Sequence, residues 1–152
     1  MAVLGAREVY FTPRDDLIGR NGVDAIFVLG PPEPPRLATA ERLSDHLGGV
    51  PIYVSVHQSV DCAGKFTCLH AVPWTTKGEA GLLRDLMVNH GVDHPVVLTG
   101  TTHVARARYV MHRCVGQEIP VIGADDDLNL WRTIYEPIYQ TGAFVKAVAT
   151  GC

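Results

Sequence analysis

The chain has 152 residues, of which 47% are hydrophobic and 19% are charged, and its formal net charge is −3 at pH 7. This length suits a single domain with its own core. The acidic balance argues against a nucleic-acid partner held by bulk electrostatics, and no apolar run is long enough for insertion across a membrane. The start of the sequence lacks a basic stretch followed by an apolar one, so it predicts a cytoplasmic protein with no signal peptide.

Residues 1–22 show no clear periodicity, and we expect them to form an N-terminal extension on the edge of one domain that spans 23–152. The first strand is predicted at 24–30, where the apolar residues are continuous, as in a parallel sheet that is buried on both faces. Four prolines within 31–35 should prevent regular structure, because proline has no amide donor. The first helix is therefore predicted to begin near Arg36.

The rest of the chain alternates predicted strands with predicted helices. Each strand is a short apolar run, and each helix has apolar residues three or four positions apart. This alternation predicts an α/β fold of three layers, in which helices flank a mainly parallel five-stranded sheet. The further strands are predicted at 51–56, 66–72, 95–99 and 119–123, and the further helices after Thr76, at 103–115, after the aspartates at 125–127, and at 138–149.

The chain has four cysteines, at positions 62, 68, 114 and 152, and no two have Cys-x-x-Cys spacing. In a cytoplasmic protein of this size free thiols are the default. Cys62 and Cys68 are close enough in sequence to form a bridge under oxidation. Cys114 is predicted to pack on the apolar side of a helix.

The loops that follow the carboxyl ends of parallel strands meet at one edge of a sheet, where α/β proteins bind their ligands. We therefore expect the polar residues of these loops to form a ligand site. The candidate ligand-binding residues are Gly30, Arg36, Ser55, Thr75, Thr76, Thr99, Thr101 and Arg106, and the candidate catalytic residues are Glu79 and His103.

The strongest pattern among these residues follows the fourth strand. His103 and Arg106 are three positions apart, so they share one helix face, opposite the apolar residues Val104, Ala107 and Met111. A helix N-terminus and an arginine suit an anion, and a histidine is able to donate to that anion or to move a proton. The alternative is that both are surface residues, with Arg106 paired to an acidic neighbour.

Glu79 also has two interpretations. Thr76 and Glu79 have the spacing of a capping box, which would fix a helix start without any further function. Alternatively, the threonines before this helix and Glu79 face a ligand, with Glu79 as acceptor or base. No dinucleotide fingerprint, Walker A sequence or nucleophile elbow occurs in the chain.

No metal site is predicted, because no compact set of histidines, cysteines and acidic residues has the spacing of metal ligands. The aspartates at 125–127 could hold a hard cation. The alternative is that they cap a helix and interact with its dipole.

Several segments between about 24 and 123 resemble the YdcF-like family, which includes SanA and ElyC. These segments read DAIFVLG, then Arg36 at a helix start, then PIYVSV, TTKGEA and VVLTGTTHVARA. The family has a strand that ends in Val-Leu-Gly-Gly, a Thr-x-Glu-Asn-Ala segment and a Thr-Ser-x-aromatic-His-x-x-Arg-Ala segment. The matching positions are Thr76 and Ala80 in the second, and Thr99, His103, Arg106 and Ala107 in the third; the chain departs from the pattern at Pro31, Gly78, Glu79, Gly100 and Thr102.

The resemblance implies a Rossmann-like fold and a small-molecule ligand that is anionic or nucleotide-like. One member of the family is associated with S-adenosylmethionine, and others with cell-envelope maintenance, so both are expectations for this chain. Two alternatives stay open. The protein could be a hydrolase or transferase that acts on a phosphorylated or nucleotide-linked substrate, with His103 as acid/base, or it could be a non-catalytic protein-interaction module.

Overall fold

The computed structural model describes residues 22–57, 62, 64–124, 141–142, 145–146, 148–149 and 151–152. The predicted N-terminal extension, apart from residue 22, and the aspartates at 125–127 lie outside the described residues. Near the C-terminus, the described residues 141–142, 145–146 and 148–149 are helical, within the range predicted for the last helix.

Five parallel strands form one sheet, in the order β3-β2-β1-β4-β5. The predicted α/β fold with a parallel five-stranded sheet is therefore confirmed. The strands are β1 (Ala25–Val28), β2 (Ile52–Val56), β3 (Phe66–His70), β4 (Pro95–Gly100) and β5 (Val121–Ala124), and the helices are α1 (Pro34–His46), α2 (Thr76–Asn89) and α3 (Val104–Val115), with a 3-10 turn at Thr101–His103 before α3.

The core has two halves, one on each face of the sheet. Because successive side chains of a strand point to opposite faces, Ile26 and Val28 pack with α1, whereas Phe27 packs with α2 and α3. All four residues of β1 are buried, as its continuous apolar sequence predicts. The helices thus form outer layers on both sides of the sheet, which is the three-layer arrangement expected.

The first helix begins two residues earlier than predicted. Pro34 and Pro35 lie in its first turn, where an amide would have no partner within the helix and proline's fixed φ suits the backbone. The prediction that residues 31–35 are all irregular was therefore wrong for Pro34 and Pro35, which are helical. Two strand ends also differ from the prediction. Strand β3 ends at His70 and not at residue 72, and strand β5 begins at Val121 and not at residue 119.

The prediction of free cysteines was wrong. Disulfide bonds join Cys62 to Cys68 and Cys114 to Cys152. In each pair the two Cα atoms are 5.6 Å apart, which is within the range that a disulfide bridges. The Cys114–Cys152 pair is 38 residues apart in sequence, so only the folded chain reveals it. Among the described residues, no helix is long and apolar enough to cross a membrane.

The start of α2 differs from the predicted capping box by one residue. Thr75, not Thr76, is the N-cap, and its Oγ1 accepts a hydrogen bond of 3.1 Å from the Gly78 amide. A Cβ atom on Gly78 would overlap the carbonyl oxygen of Pro73. The turn between β3 and α2 therefore leaves no room for a side chain at position 78, where the YdcF-like pattern has glutamate.

Two glycines of α2 allow this constraint to be tested. Gly78→Ala should destabilise the protein by about 1–3 kcal/mol, because the added methyl group would overlap backbone atoms of Pro73 and force the local backbone to shift. Gly81 is exposed in the same helix with open space around it, so Gly81→Ala should stabilise by about 0.5–1 kcal/mol. Urea unfolding of both variants measures these changes, and equal effects would contradict the steric argument.

Candidate functional site

A group of polar side chains lies where the order of the strands reverses. The neighbouring strands β1 and β4 lead into helices on opposite faces of the sheet, and such a point opens a crevice at the carboxyl ends of the strands. The residues that meet there come from loops and helices far apart in sequence. We call the backbone amide of Gly30 and the side chains of Arg36, Glu79, His103 and Arg106 the polar cluster.

Glu79 lies at the centre of the polar cluster. The residue is 4% exposed, and its Oε1 accepts a hydrogen bond of 2.8 Å from the amide of Gly30. Burial raises the pKa of Glu79 above its ordinary value, although the Gly30 amide, the Ser55 hydroxyl and the guanidinium groups of Arg36 and Arg106 act against this rise. Glu79 thus reaches across to another loop instead of closing a capping box.

Arg36 is buried and supports the loop that follows β1. Its Nη1 donates hydrogen bonds of 3.0 Å to the Leu29 carbonyl and 2.7 Å to the Pro31 carbonyl. These bonds satisfy backbone acceptors in a segment whose prolines supply no amide donors. Arg36 therefore holds this loop in place, and its charge adds to the positive potential of the polar cluster.

His103 is held between two threonines. Its Nδ1 lies 3.1 Å from the Thr99 hydroxyl, and its Nε2 lies 3.4 Å from the Thr76 hydroxyl. Burial, followed by the nearby charges of Arg106 and Arg36, holds the pKa of His103 well below its ordinary value. The imidazole is therefore neutral at pH 7, with one ring nitrogen as donor and the other as acceptor.

Arg106 is partly exposed and lies in the first turn of α3. It is close enough to His103 and Glu79 for its charge to affect the pKa of both. The opposite side of α3 carries the buried residues Val104, Ala107 and Met111, as the spacing predicts. The guanidinium of Arg106 thus belongs to the polar cluster and not to the core.

The remaining candidate residues have different surroundings. Ser55 and Thr99 are fully buried at the ends of β2 and β4, beside Glu79 and His103 respectively. Thr75 is exposed and caps α2, whereas the Thr101 hydroxyl donates a hydrogen bond of 2.5 Å to the Ala124 carbonyl. Thr75 and Thr101 are therefore engaged with backbone groups, one at a helix start and the other at the end of β5.

Sequence reasoning gave no role to Trp74. A Cβ atom on Gly30 would lie 3.0 Å from the Trp74 ring, so the ring covers this glycine closely. The His57 ring meets the Trp74 ring edge-on, with centroids 4.6 Å apart. Trp74 could have been identified as a candidate from the sequence, because it is an aromatic residue in a loop that follows a strand. Such loops lie at the edge of the sheet that binds ligands.

No group of three histidine, cysteine or acidic side chains that could hold a metal ion occurs in the described part of the chain. Comparisons of the chain with models of known protein families, with curated protein sequences and with solved structures found no match. The resemblance to YdcF-like proteins therefore stays a prediction from the quoted segments.

Glu79→Gln separates the charge of this residue from its role as an acceptor for Gly30. Because the pKa of Glu79 is raised above 4.5, the folded protein binds this proton more tightly than the unfolded chain does. The resulting stability is fully present below pH 4.5 and is lost as the pH rises through the folded pKa. We expect the glutamine variant to gain stability relative to wild type over that range, measured by urea unfolding at several pH values.

The exposed Glu118 provides the matched control, and Glu118→Gln should leave the pH dependence of wild type unchanged. A Glu79→Gln variant that loses stability relative to wild type as the pH rises above 4.5 would contradict the argument. That result would mean that Glu79 is stabilised as an anion by the two arginines more strongly than burial opposes its charge.

Proposed function

We propose that the polar cluster binds the anionic group of a small-molecule ligand. The observation that carries this proposal is the approach of two guanidinium groups, those of Arg36 and Arg106, to a single buried carboxyl group. The site thus brings two permanently positive groups beside a carboxyl group whose burial opposes its negative charge. An anion is the ligand that such a site favours.

The start of α3 supports the same proposal. His103 occupies the N-cap position but makes no side-chain cap hydrogen bond. The 3-10 turn at Thr101–His103 leads directly into α3, and the dipole of α3 places partial positive charge at this end of the helix. An anion beside Arg106 would also interact favourably with this helix terminus.

The resemblance to YdcF-like proteins supports a ligand site at the same positions, because Thr76, Thr99, His103 and Arg106 match the family segments. On this basis nucleotide-like ligands, with S-adenosylmethionine among them, and a role in maintenance of the cell envelope are part of the proposal. Disulfide bonds persist in oxidising compartments, so the Cys114–Cys152 bond favours a location outside the cytoplasm over the cytoplasmic location predicted from the sequence.

Arg106→Ala tests the anion site. Calorimetric titration with inorganic phosphate, AMP and S-adenosylmethionine should identify at least one ligand of the wild-type protein. For that ligand, the variant should bind about tenfold or more weakly, because it loses a hydrogen bond between charged groups.

Arg113→Ala removes the same charge from the exposed last turn of α3, where Arg113 Nη1 donates a hydrogen bond to the Tyr109 hydroxyl. This matched variant should bind as wild type does. If both variants lose affinity equally, the effect is one of overall charge and the site lies elsewhere. If neither loses affinity, Arg106 does not contact the ligand.

A second candidate function is hydrolase or transferase chemistry on a phosphorylated or nucleotide-linked substrate. It is favoured by the neutral imidazole of His103, which two threonine hydroxyls hold in one orientation. A neutral imidazole is able to accept a proton at pH 7, and Arg106 would stabilise negative charge that develops beside it.

His103→Gln tests this second candidate, because glutamine keeps hydrogen-bonding groups but cannot act as the base. Turnover of a responsive substrate from a panel of phosphate esters and nucleotide sugars should fall by about 10²–10⁴-fold, while inorganic phosphate still binds. His112→Gln, on the exposed side of the same helix, is the control. Retained turnover in His103→Gln would exclude this histidine as acid/base, and a protein that responds to neither panel would favour the interaction-module alternative.

A further inference from the structure

The carboxyl group of Glu79 and the anion of the proposed function would draw on the same positive charges. Arg36 and Arg106 both affect the pKa of Glu79, and both also affect the pKa of His103. An anion that pairs with Arg106 therefore comes within range of the Glu79 carboxyl group, because Coulomb interactions extend over several ångströms where water is partly excluded. A negatively charged ligand and a charged Glu79 would repel each other.

Glu79 is fixed in position and cannot turn away from such an anion. The residue is 4% exposed, and its Oε1 accepts a hydrogen bond of 2.8 Å from the Gly30 amide. Gly30 is itself enclosed, because the Trp74 ring and the Ser55 carbonyl oxygen each lie 3.0 Å from the position of a Cβ atom. When an anion binds, the charge of this carboxyl group is therefore easier to change than its place.

The surroundings of Glu79 suit the protonated as well as the charged form. A carboxylic acid keeps an acceptor oxygen, so the bond from the Gly30 amide to Oε1 survives when a proton is added to Oε2. The buried Ser55 hydroxyl lies beside the carboxyl group and favours its charged form. Because a hydroxyl group rotates, it is able to donate to a carboxylate or to accept from a carboxylic acid.

The charged side chains that act on Glu79, among the described residues, are Arg36 from α1 and Arg106 from α3. Both guanidinium groups keep their protons at any ordinary pH. His103, at the end of the turn before α3, is the other titratable group of the polar cluster. Burial and the two arginines hold the pKa of His103 well below its ordinary value, whereas burial raises the pKa of Glu79. Glu79 is thus the group that changes its charge closer to neutral pH.

We propose that an anion bound at the polar cluster draws a proton from solution onto Oε2 of Glu79, wherever that carboxyl group is charged before the anion binds. Protonation removes the carboxylate charge that would repel the anion, and the proton returns to solution when the anion leaves. This inference rests on the proposed function, because the polar cluster supplies the anion site. It deepens that proposal by making Glu79 the residue that couples affinity to pH.

Calorimetric titration with sulfate tests the inference, because sulfate, unlike phosphate, keeps the same charge near neutral pH. Its affinity for the wild-type protein should fall as the pH rises through the folded pKa of Glu79, which lies above 4.5. The decrease should approach about tenfold for each pH unit. The heat of binding should also depend on the ionisation heat of the buffer, because the buffer supplies the proton.

Glu79→Gln separates the proton from the hydrogen bond. Glutamine keeps an acceptor for the Gly30 amide but takes up no proton. The variant should therefore bind sulfate more tightly than wild type does at the alkaline end of the range, with little dependence on pH or buffer. Glu118→Gln, at an exposed position, is the matched control and should keep the pH dependence of wild type.

His103→Gln tests the other titratable group of the polar cluster. This variant should still take up a proton with sulfate, because Glu79 is unchanged. If proton uptake is lost in His103→Gln and kept in Glu79→Gln, the histidine receives the proton and the inference is overturned. If Glu79→Gln does not fold, the buffer dependence of wild type and of His103→Gln still decides the question.

The outcomes distinguish the coupling from the anion site itself. Sulfate binding that Arg106→Ala weakens, but that takes no proton from the buffer and has the same affinity at every pH, would leave the anion site standing and overturn the coupling. Sulfate binding that Arg106→Ala does not weaken would place the anion elsewhere and overturn both proposals. No binding of sulfate at any pH would also overturn both.

Discussion

The hydrogen bond from the Gly30 amide to Glu79 is the contact on which the candidate site depends. It joins residues 49 positions apart and fixes the first turns of α2 against the end of β1. A carboxyl group this deeply buried loses much of its hydration, and burial is the largest influence on its pKa. Gly30, Ser55 and the two arginines provide partial compensation. Without Glu79, the amide of Gly30 would lose its acceptor, and the two guanidinium groups would lose a nearby carboxyl group.

The two arginines of the polar cluster have different roles because they differ in exposure. Arg36 is 6% exposed and donates to two carbonyl groups of the loop after β1. The carbonyl groups of this loop therefore fix the position of Arg36, and Arg36 in turn holds the loop in place. Arg106 is partly exposed at the start of a helix. Both contribute positive potential to the polar cluster, and Arg106 is the more exposed of the two.

The proline loop after β1 explains why this site differs from a phosphate-binding loop of the common kind. Such loops use successive amides as donors, and the prolines at 31 and 32 remove two of them. In this chain the loop instead supplies the hydrocarbon of Pro31 to a pocket and a single amide, from Gly30, to Glu79.

The sequence by itself determined the α/β class and most of the elements, because buried parallel strands are continuous apolar runs and helices have a distinct period. It also predicted that His103 and Arg106 lie near each other, which local geometry alone requires; His103 ends the 3-10 turn before α3, and Arg106 lies in the first turn of α3. The start of α1 was missed because proline is excluded from a helix interior but not from the first turn.

Tertiary structure decided the strand order, the disulfide partners and the partner of Glu79. These depend on which distant segments lie side by side, and residue spacing along the chain carries no such information. The local pattern around Thr76 and Glu79 was compatible with a capping box and with a site residue. The carboxyl group lies against Gly30 because β1 ends beside the start of α2, and that proximity exists only in the folded chain.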